Sequence, residues 1–310
     1  MNKILEELKN NNYSVNSIIK LNSNLIITSN NKKYLLIKKE EFSKEIRNYL
    51  KSINCNYYLP WIDTLTNYEV LEYYDSDNNL KELILSLSDI HYNSLITNNY
   101  TEEELKSIYE EKVKEIDEVM TYTLKLQDYI EELYYTRNDY YQTIINISKV
   151  YNILRTSRYY LDKWYSLNDT SYREVLLIGN TSLSNFIHNQ KNYFIDFKNS
   201  KRGNITGDII SFYKSNYYDE IYSLFTLYNS KINLTEKELY LFLSSICLVP
   251  KISFSNDLNS NLKVIKDYYD YIDRTMSFVL EKDKEYQKTN KEIFKQENND
   301  IKLSSDENKN

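Results

Sequence analysis

The three glycines of this chain, Gly179, Gly203 and Gly207, all fall within one short segment. In a sequence otherwise free of glycine, that clustering marks backbone that must turn tightly or come close to something. The segment reads Leu176-Leu177-Ile178-Gly179-Asn180-Thr181-Ser182-Leu183-Ser184-Asn185-Phe186-Ile187, then a short loop, then Tyr193-Phe194-Ile195-Asp196-Phe197. Its groups that bear on chemistry are amides and carboxylates: Asn180, Asn185, Asp196 and, further on, Asp208. The distinction matters, because an amide can hydrogen-bond a hydroxyl but takes up no proton near neutral pH. The other reactive residue types read as structural. Cys55 and Cys247 stand far apart with no CxxC pairing, which suggests neither a disulfide framework nor a zinc site. His91 reads as a satisfied structural histidine and His188 as a turn residue, and the acidic runs Glu102-Glu103-Glu104 and Glu131-Glu132 read as solvated helix faces.

The elements that must position the glycine-bearing segment follow from patterning. After a short first helix, 15–20, 24–29 and 33–39 pair β-branched and apolar residues with Asn-rich turns, as a strand meander does. A helix over 40–52 puts Phe42, Ile46, Tyr49 and Leu50 on one face, and 57–64 and 68–74 return to extended patterning. The first 75 residues thus read β-β-β-α-β-β. An amphipathic helix covers 80–95, and long helices over 101–133 and 139–166 predict a helical hairpin. From 175 to 213 the pattern is strand, turn, strand, turn and a helix starting near Asp208; helices then cover 217–228, 235–248 and 262–280. The polar stretch 282–310 has too little apolar content to pack and predicts a frayed helix running into a disordered tail.

The 310 residues suffice to bury an ordinary core, and 39 basic against 45 acidic residues are spread along the whole chain. That distribution offers no concentrated basic face for nucleic acid. No run approaches the ~20 apolar residues that span a bilayer, and 1–10 has no apolar core of a signal peptide, so the sequence predicts a soluble, cytoplasmic protein. The 33 tyrosines are expected to fill core positions with the hydroxyl reaching water or backbone.

The segment around Gly179 resembles the aminoglycoside phosphotransferase and choline kinase pattern H-G-D-x-x-x-x-N, followed by an apolar strand ending in I-D-F or I-D-W. In that pattern one carboxylate orients and deprotonates an acceptor hydroxyl, while the Asn and the second Asp hold magnesium against the phosphates of ATP. The resemblance implies that Asn185 and Asp196 take the two metal-binding positions and that Gly179 keeps its place. Ile178 replaces the His, and Asn180 replaces the catalytic Asp. Asn199-Ser200-Lys201-Arg202-Gly203 followed by Gly207-Asp208-Ile209-Ile210-Ser211-Phe212 is similar to the family's next stretch, where an Asp at a helix start braces the catalytic loop through backbone N–H groups. That role falls to Asp208, which also suits an N-cap. The Leu87-x-x-Ile90-His91-x-x-Ser94 helix end resembles its counterpart in the same superfamily.

On the nucleotide side, Lys38 of Leu35-Leu36-Ile37-Lys38 stands where the strand-three lysine of V-A-I-K belongs, with Glu45 as its helix partner. No glycine lies between the first strands, so the turn at 21–24 cannot approach phosphates as a Gly-rich loop does. The segment 241–254, with Leu248-Val249-Pro250-Lys251-Ile252, resembles the spore-coat kinase-like branch but lacks the arginine of that stretch.

The resemblance implies an α+β, two-lobed, protein-kinase-like fold. Its antiparallel N-lobe is expected over 1–78, its helical C-lobe with a long helical insertion over 79–281, the catalytic-loop remnant over 176–212 and the polar tail over 282–310. The leading functional expectation is a pseudokinase: a binding or structural protein, cytoplasmic or spore-coat associated, with ATP and Mg2+ as cofactors and little or no phosphotransfer. Its expected partner is a small molecule or protein, not nucleic acid or membrane. The alternatives are an active ATP- and magnesium-dependent kinase acting on a hydroxyl, and a helical interaction adaptor.

Overall fold

The computed structural model describes residues 2–21, 24–39, 44–77, 79–218 and 220–307. The chain divides into two compact units, Met1–Leu105 with Asn168–Phe242, and Lys106–Leu167 with Leu243–Asn310.

The first unit opens with helix α1 (Asn2–Asn10) and strands β1 (Val15–Leu21), β2 (Asn24–Ser29) and β3 (Lys32–Lys38). Helix α2 (Lys44–Ser52), β4 (Trp61–Thr64) and β5 (Tyr68–Tyr73) follow, so the β-β-β-α-β-β order is the one the patterning predicts. Phe42, placed on the apolar face of α2, lies outside the described residues. The five strands form one antiparallel sheet in the order β1-β2-β3-β5-β4. Side chains alternate across it. Ile27, Leu36 and Val70 pack on one side with Leu8 of α1 and Leu65, while Ile26, Leu35, Ile37 and Leu71 pack on the other with Leu59, Ile187, Tyr193 and Ile195. The second cluster joins the sheet to the glycine-bearing segment.

Helix α3 (Leu80–Ser94) is capped by Asn79, whose side chain accepts from the Glu82 N–H. Strand β6 (Ile96–Asn99) pairs with β7 (Ser171–Leu177), and β10 (Lys201–Asn204) pairs with the other edge of β7. Sequence patterning misses β6 because Ile-Thr-Asn-Asn has weak strand propensity, and only the neighbouring strand makes it extended. A hairpin of β8 (Phe186–Asn189) and β9 (Lys191–Phe194) turns at Gln190, whose φ is 56°. Helices α7 (Thr206–Ser215), α8 (Ile221–Ile232) and the larger part of α9 (Glu236–Cys247) complete this unit.

The second unit contains most of α4 (Glu102–Glu131), with α5 (Asn138–Ile144), α6 (Ile147–Ser166) and α10 (Leu258–Glu307). Helices α4 and α6 form the expected hairpin: Tyr109 donates to Asp162 at 2.7 Å and stacks on Tyr165, and Tyr151 donates to Gln127 at 2.6 Å. The single helix expected over 139–166 is instead two. At the break Asn146 donates its side-chain N–H to the Gln142 carbonyl, and an Asn that bonds local backbone in this way competes with helix continuation. Helix α10 continues to Glu307 through a stretch for which composition predicts fraying and disorder. Lys, Glu and Gln dominate there, and each is a good intrinsic helix former.

Among the described residues no helix is long and apolar enough to cross a membrane.

Candidate functional site

Strand β7 enters a tight turn at Gly179, and β10 returns beside it with Lys201 opposite Leu177. Gly179 has a φ of +77°, and a Cβ there would lie 2.5 Å from the Asn199 carbonyl oxygen, so only glycine fits. Gly203 and Gly207 answer a different demand: a Cβ on either would come within 3.0 Å of the Leu177 side chain. The glycine cluster therefore comprises one left-handed turn and two close approaches to a single leucine.

Asp208 holds this turn from below. Its carboxylate accepts from the Ile178 N–H at 2.6 Å and the Gly179 N–H at 3.0 Å, and it is 1 % exposed. The N-cap role read for Asp208 is not the one it has. Helix α7 begins at Thr206 with Ile205 at the cap position, so the Asp208 carboxylate lies in the first turn and is committed to the loop instead. Behind it, His91 Nε2 lies 3.2 Å from Asp208 Oδ2, and His91 Nδ1 lies 2.7 Å from the Tyr228 hydroxyl. A carboxylate can only accept, so a neutral His91 carries its proton on Nε2 and accepts from Tyr228. His91 is fully buried in this relay.

Asn180 projects from the turn with its orientation set by Ser182. Its Oδ1 accepts from the Ser182 N–H at 3.3 Å and from the Ser182 hydroxyl at 2.8 Å. A backbone N–H is an obligate donor, so the amide oxygen must face Ser182 and the NH2 group must face away. Asn185 ends a 3-10 turn (Leu183–Asn185) and is 2 % exposed. Its Oδ1 accepts from the Asp196 N–H at 2.8 Å, and its Nδ2 donates to the carbonyls of Asn180 at 2.9 Å and Asp196 at 3.1 Å. Asn185 thus straps the Asn180 turn to the Asp196 strand end.

Asn180, Asn185 and Asp196 share one hollow of about 290 Å3, whose wall also includes Leu21, Asn24, Ser184, Ile195 and Lys198. The structure brings together the three residues that the motif spacing singles out. Lys198 was not foreseen. Its backbone N–H donates to Asp196 Oδ1 at 2.8 Å, and its ammonium lies 3.7 Å from Asp196 Oδ2. Nothing in the sequence marks it, since the Asx turn that brings Lys198 to the carboxylate is defined by a backbone bond seen only in the structure. Asn24 was also missed. It is 4 % exposed, and its Oδ1 has no partner among the described residues.

Lys38 and Glu45 do not join this group. Along β3, Leu35 and Ile37 face Ile187, Tyr193 and Ile195, whereas Leu36 faces α1; Lys38 has the parity of Leu36 and so takes the side away from the site. It lines a separate hollow with Lys39, Thr66, Asn67 and Tyr68. Glu45 is exposed on α2. The residue of α2 that reaches the loop is Arg47: it donates to the Leu59 carbonyl at 2.8 Å and stacks over the rings of Tyr58 and Phe197. Burial pushes the Arg47 guanidinium down to about 10.

The fold recurs in known structures. An aminoglycoside phosphotransferase from Alicyclobacillus acidocaldarius superposes with a TM-score of 0.63 at 9 % identity, over 88 % of this chain and 93 % of that one. The fold is the two-lobed, kinase-like fold of aminoglycoside phosphotransferases. Spectinomycin phosphotransferase in its AMP-bound complex matches with a TM-score of 0.53 at 13 % identity, over 89 % of this chain and 98 % of that one. The same enzyme with ADP and spectinomycin gives 0.50 at 13 % identity over the same shares. No family model matches the sequence, and no curated protein matches it either.

Magnesium, which the motif resemblance implies, does not fit the side chains as they stand. The buried Asn185 amide oxygen already accepts from the Asp196 N–H, and turning it onto an ion would break the strap between turn and strand. Among the described residues Asp196 is the one carboxylate lining the hollow, and an ammonium already faces it. Among the described residues no three His, Cys, Asp or Glu side chains come together as an ion site. The hollow does suit anionic oxygens, because the Asn180 NH2 and the Lys198 ammonium are donors in its wall.

Proposed function

We propose that this protein is a pseudokinase: its hollow beside Asn180 binds the phosphates of a nucleotide, and phosphotransfer is slow or absent. The observation that carries this reading is the locked orientation of Asn180. In the motif that the segment resembles, this position presents a carboxylate that accepts a proton from the substrate hydroxyl. Here it presents an NH2 group, so the hydrogen-bonding polarity is reversed as well as the basicity lost. Loss of general-base assistance alone costs ~10²–10⁴-fold in rate. The AMP- and ADP-bound phosphotransferases that share the fold support a nucleotide as the ligand class.

The test is ATP consumption in the presence of small hydroxylated acceptors, measured for the wild type beside Asn180→Asp. The expected wild-type rate is at background. Turnover by the wild type at ordinary enzyme rates would overturn the reading. The fold alone favours a second reading, an active small-molecule kinase, since the solved relatives carry that name. It requires another base, and among the described residues the only carboxylate lining the hollow is Asp196, already paired with Lys198. Assignment to the spore coat is a finer proposal that rests on the resemblance of 241–254; fractionation of spores with an antibody to this chain tests it.

A further inference from the structure

We infer that Lys198 takes over the charge-neutralising role of a divalent cation at this site, so that a nucleotide's phosphates bind without magnesium and gain nothing from it. The inference rests on the nucleotide-binding reading above and goes beyond it in naming what supplies the positive charge.

Three observations lead to it. The first is the position of the ammonium. Lys198 lies two residues past Asp196 in an Asx turn that folds the side chain back, leaving Nζ 3.7 Å from Asp196 Oδ2 and in the wall of the same hollow as Asn180. A metal ion bound to Asp196 would have to share that carboxylate with a resident cation, and two cations within ~4 Å repel strongly in a partly buried site. The second is the state of Asn185, whose amide is engaged in three bonds to the backbone of Asn180 and Asp196 and is nearly inaccessible. It serves as a strut, and its oxygen is buried with one lone pair already engaged by the Asp196 N–H.

The third observation is the polarity of the remaining wall. The Asn180 NH2 has no partner among the described residues, because the oxygen of the same amide is held by Ser182. An ammonium and an amide donor on one wall make a site for a phosphate oxygen that needs no metal bridge. In the same lining the buried Asn24 Oδ1 lacks a donor among the described residues, which is an unmet hydrogen bond that a ligand N–H or O–H would satisfy. Lys198 is about two-fifths exposed, so its ammonium remains able to turn toward an incoming anion. At 3.7 Å the pair is longer than a hydrogen bond, and exchanging Asp196 for a multiply charged phosphate is favourable.

The test is isothermal titration of the full chain with ATP, once with chelator and once with excess magnesium. Wild type is expected to bind ATP in chelator and to bind no more tightly with magnesium. Lys198→Ala is expected to weaken metal-free binding by about tenfold or more, the worth of one charge-assisted hydrogen bond. Asp196→Asn gives the sharper discrimination. It keeps the acceptor for the Lys198 N–H but removes the competing charge, so metal-free binding should hold or tighten, whereas a magnesium site would lose affinity. Circular dichroism melts establish that both variants are folded. Binding that appears only with magnesium, or that Asp196→Asn abolishes, overturns the inference and leaves the nucleotide-binding reading standing. No binding of ATP under either condition overturns both.

Discussion

At the scale of single residues, the site depends on groups that hold the turn rather than on groups that face a ligand. Asp208 satisfies the Ile178 and Gly179 N–H groups, and its own charge is buried against His91. Asp208→Ala would strand the buried Ile178 N–H and the part-buried Gly179 N–H and leave His91 without its acceptor. The expected loss is ~3–5 kcal/mol of unfolding free energy, read from the midpoint of urea denaturation at unchanged slope. Asp208→Asn should cost less, since it retains one acceptor oxygen; equal stability of all three proteins would show that the relay does not hold the turn. Gly179→Ala forces a Cβ to 2.5 Å from the Asn199 carbonyl at a φ of +77°, and should cost at least ~1–3 kcal/mol. These residues were legible in different degrees. The glycine cluster pointed to the turn from the sequence alone. Lys198 and Asn24 were not legible, because no spacing rule says which turn lysine bends back over a carboxylate or which turn asparagine is buried.

At the scale of elements, α2 shows why a motif position is not a site residue until the strand face is known. Lys38 and Glu45 sit where the kinase pattern puts its lysine and glutamate, yet strand alternation turns Lys38 away from Ile195 and leaves Glu45 in solvent. Element order and type were readable from periodicity and turn residues, since both follow from local chemistry. The exceptions depend on neighbours: β6 is extended only through β7, and the expected 139–166 helix breaks where the Asn146 side chain bonds the Gln142 carbonyl. The work of joining α2 to the loop falls to Arg47, stacked on Phe197 directly after Asp196. Arg47→Ala should lower stability by ~2–5 kcal/mol through the cavity and the lost bond to the Leu59 carbonyl. Arg47→Met should recover most of that, because it fills the space and removes the cost of burying a cation. Denaturation midpoints that rank Met with Ala would mean that the charge itself, and not the packing, anchors α2.

At the scale of the whole molecule, the abundance of tyrosine becomes a property of stability. The chain has 33 tyrosines, and burial raises the pKa of many of them. Tyr13, with Asp63 adding to the effect, and Tyr74, with Glu72 adding, are each pushed up to about 12; Tyr57, Tyr160, Tyr228, Tyr268 and Tyr269 are raised further. A tyrosine whose folded pKa exceeds its unfolded value binds a proton in the fold that the unfolded chain has already released. Its contribution is therefore fully present below pH ~10 and is lost as pH climbs through 10 toward 12 and beyond. Both compact units hold such groups, Tyr57 and Tyr228 in the first and Tyr160, Tyr268 and Tyr269 in the second, so neither should survive strong alkali. In a spectrophotometric titration, a tyrosine free in water ionises near pH ~10. The buried set should appear later, in one step that coincides with loss of the helical circular dichroism signal. If every tyrosine instead ionised in a single reversible wave near pH ~10 with the helices intact, the hydroxyls would be reaching water rather than the partners seen here, such as Thr143 for Tyr269 and Ile246 for Tyr271.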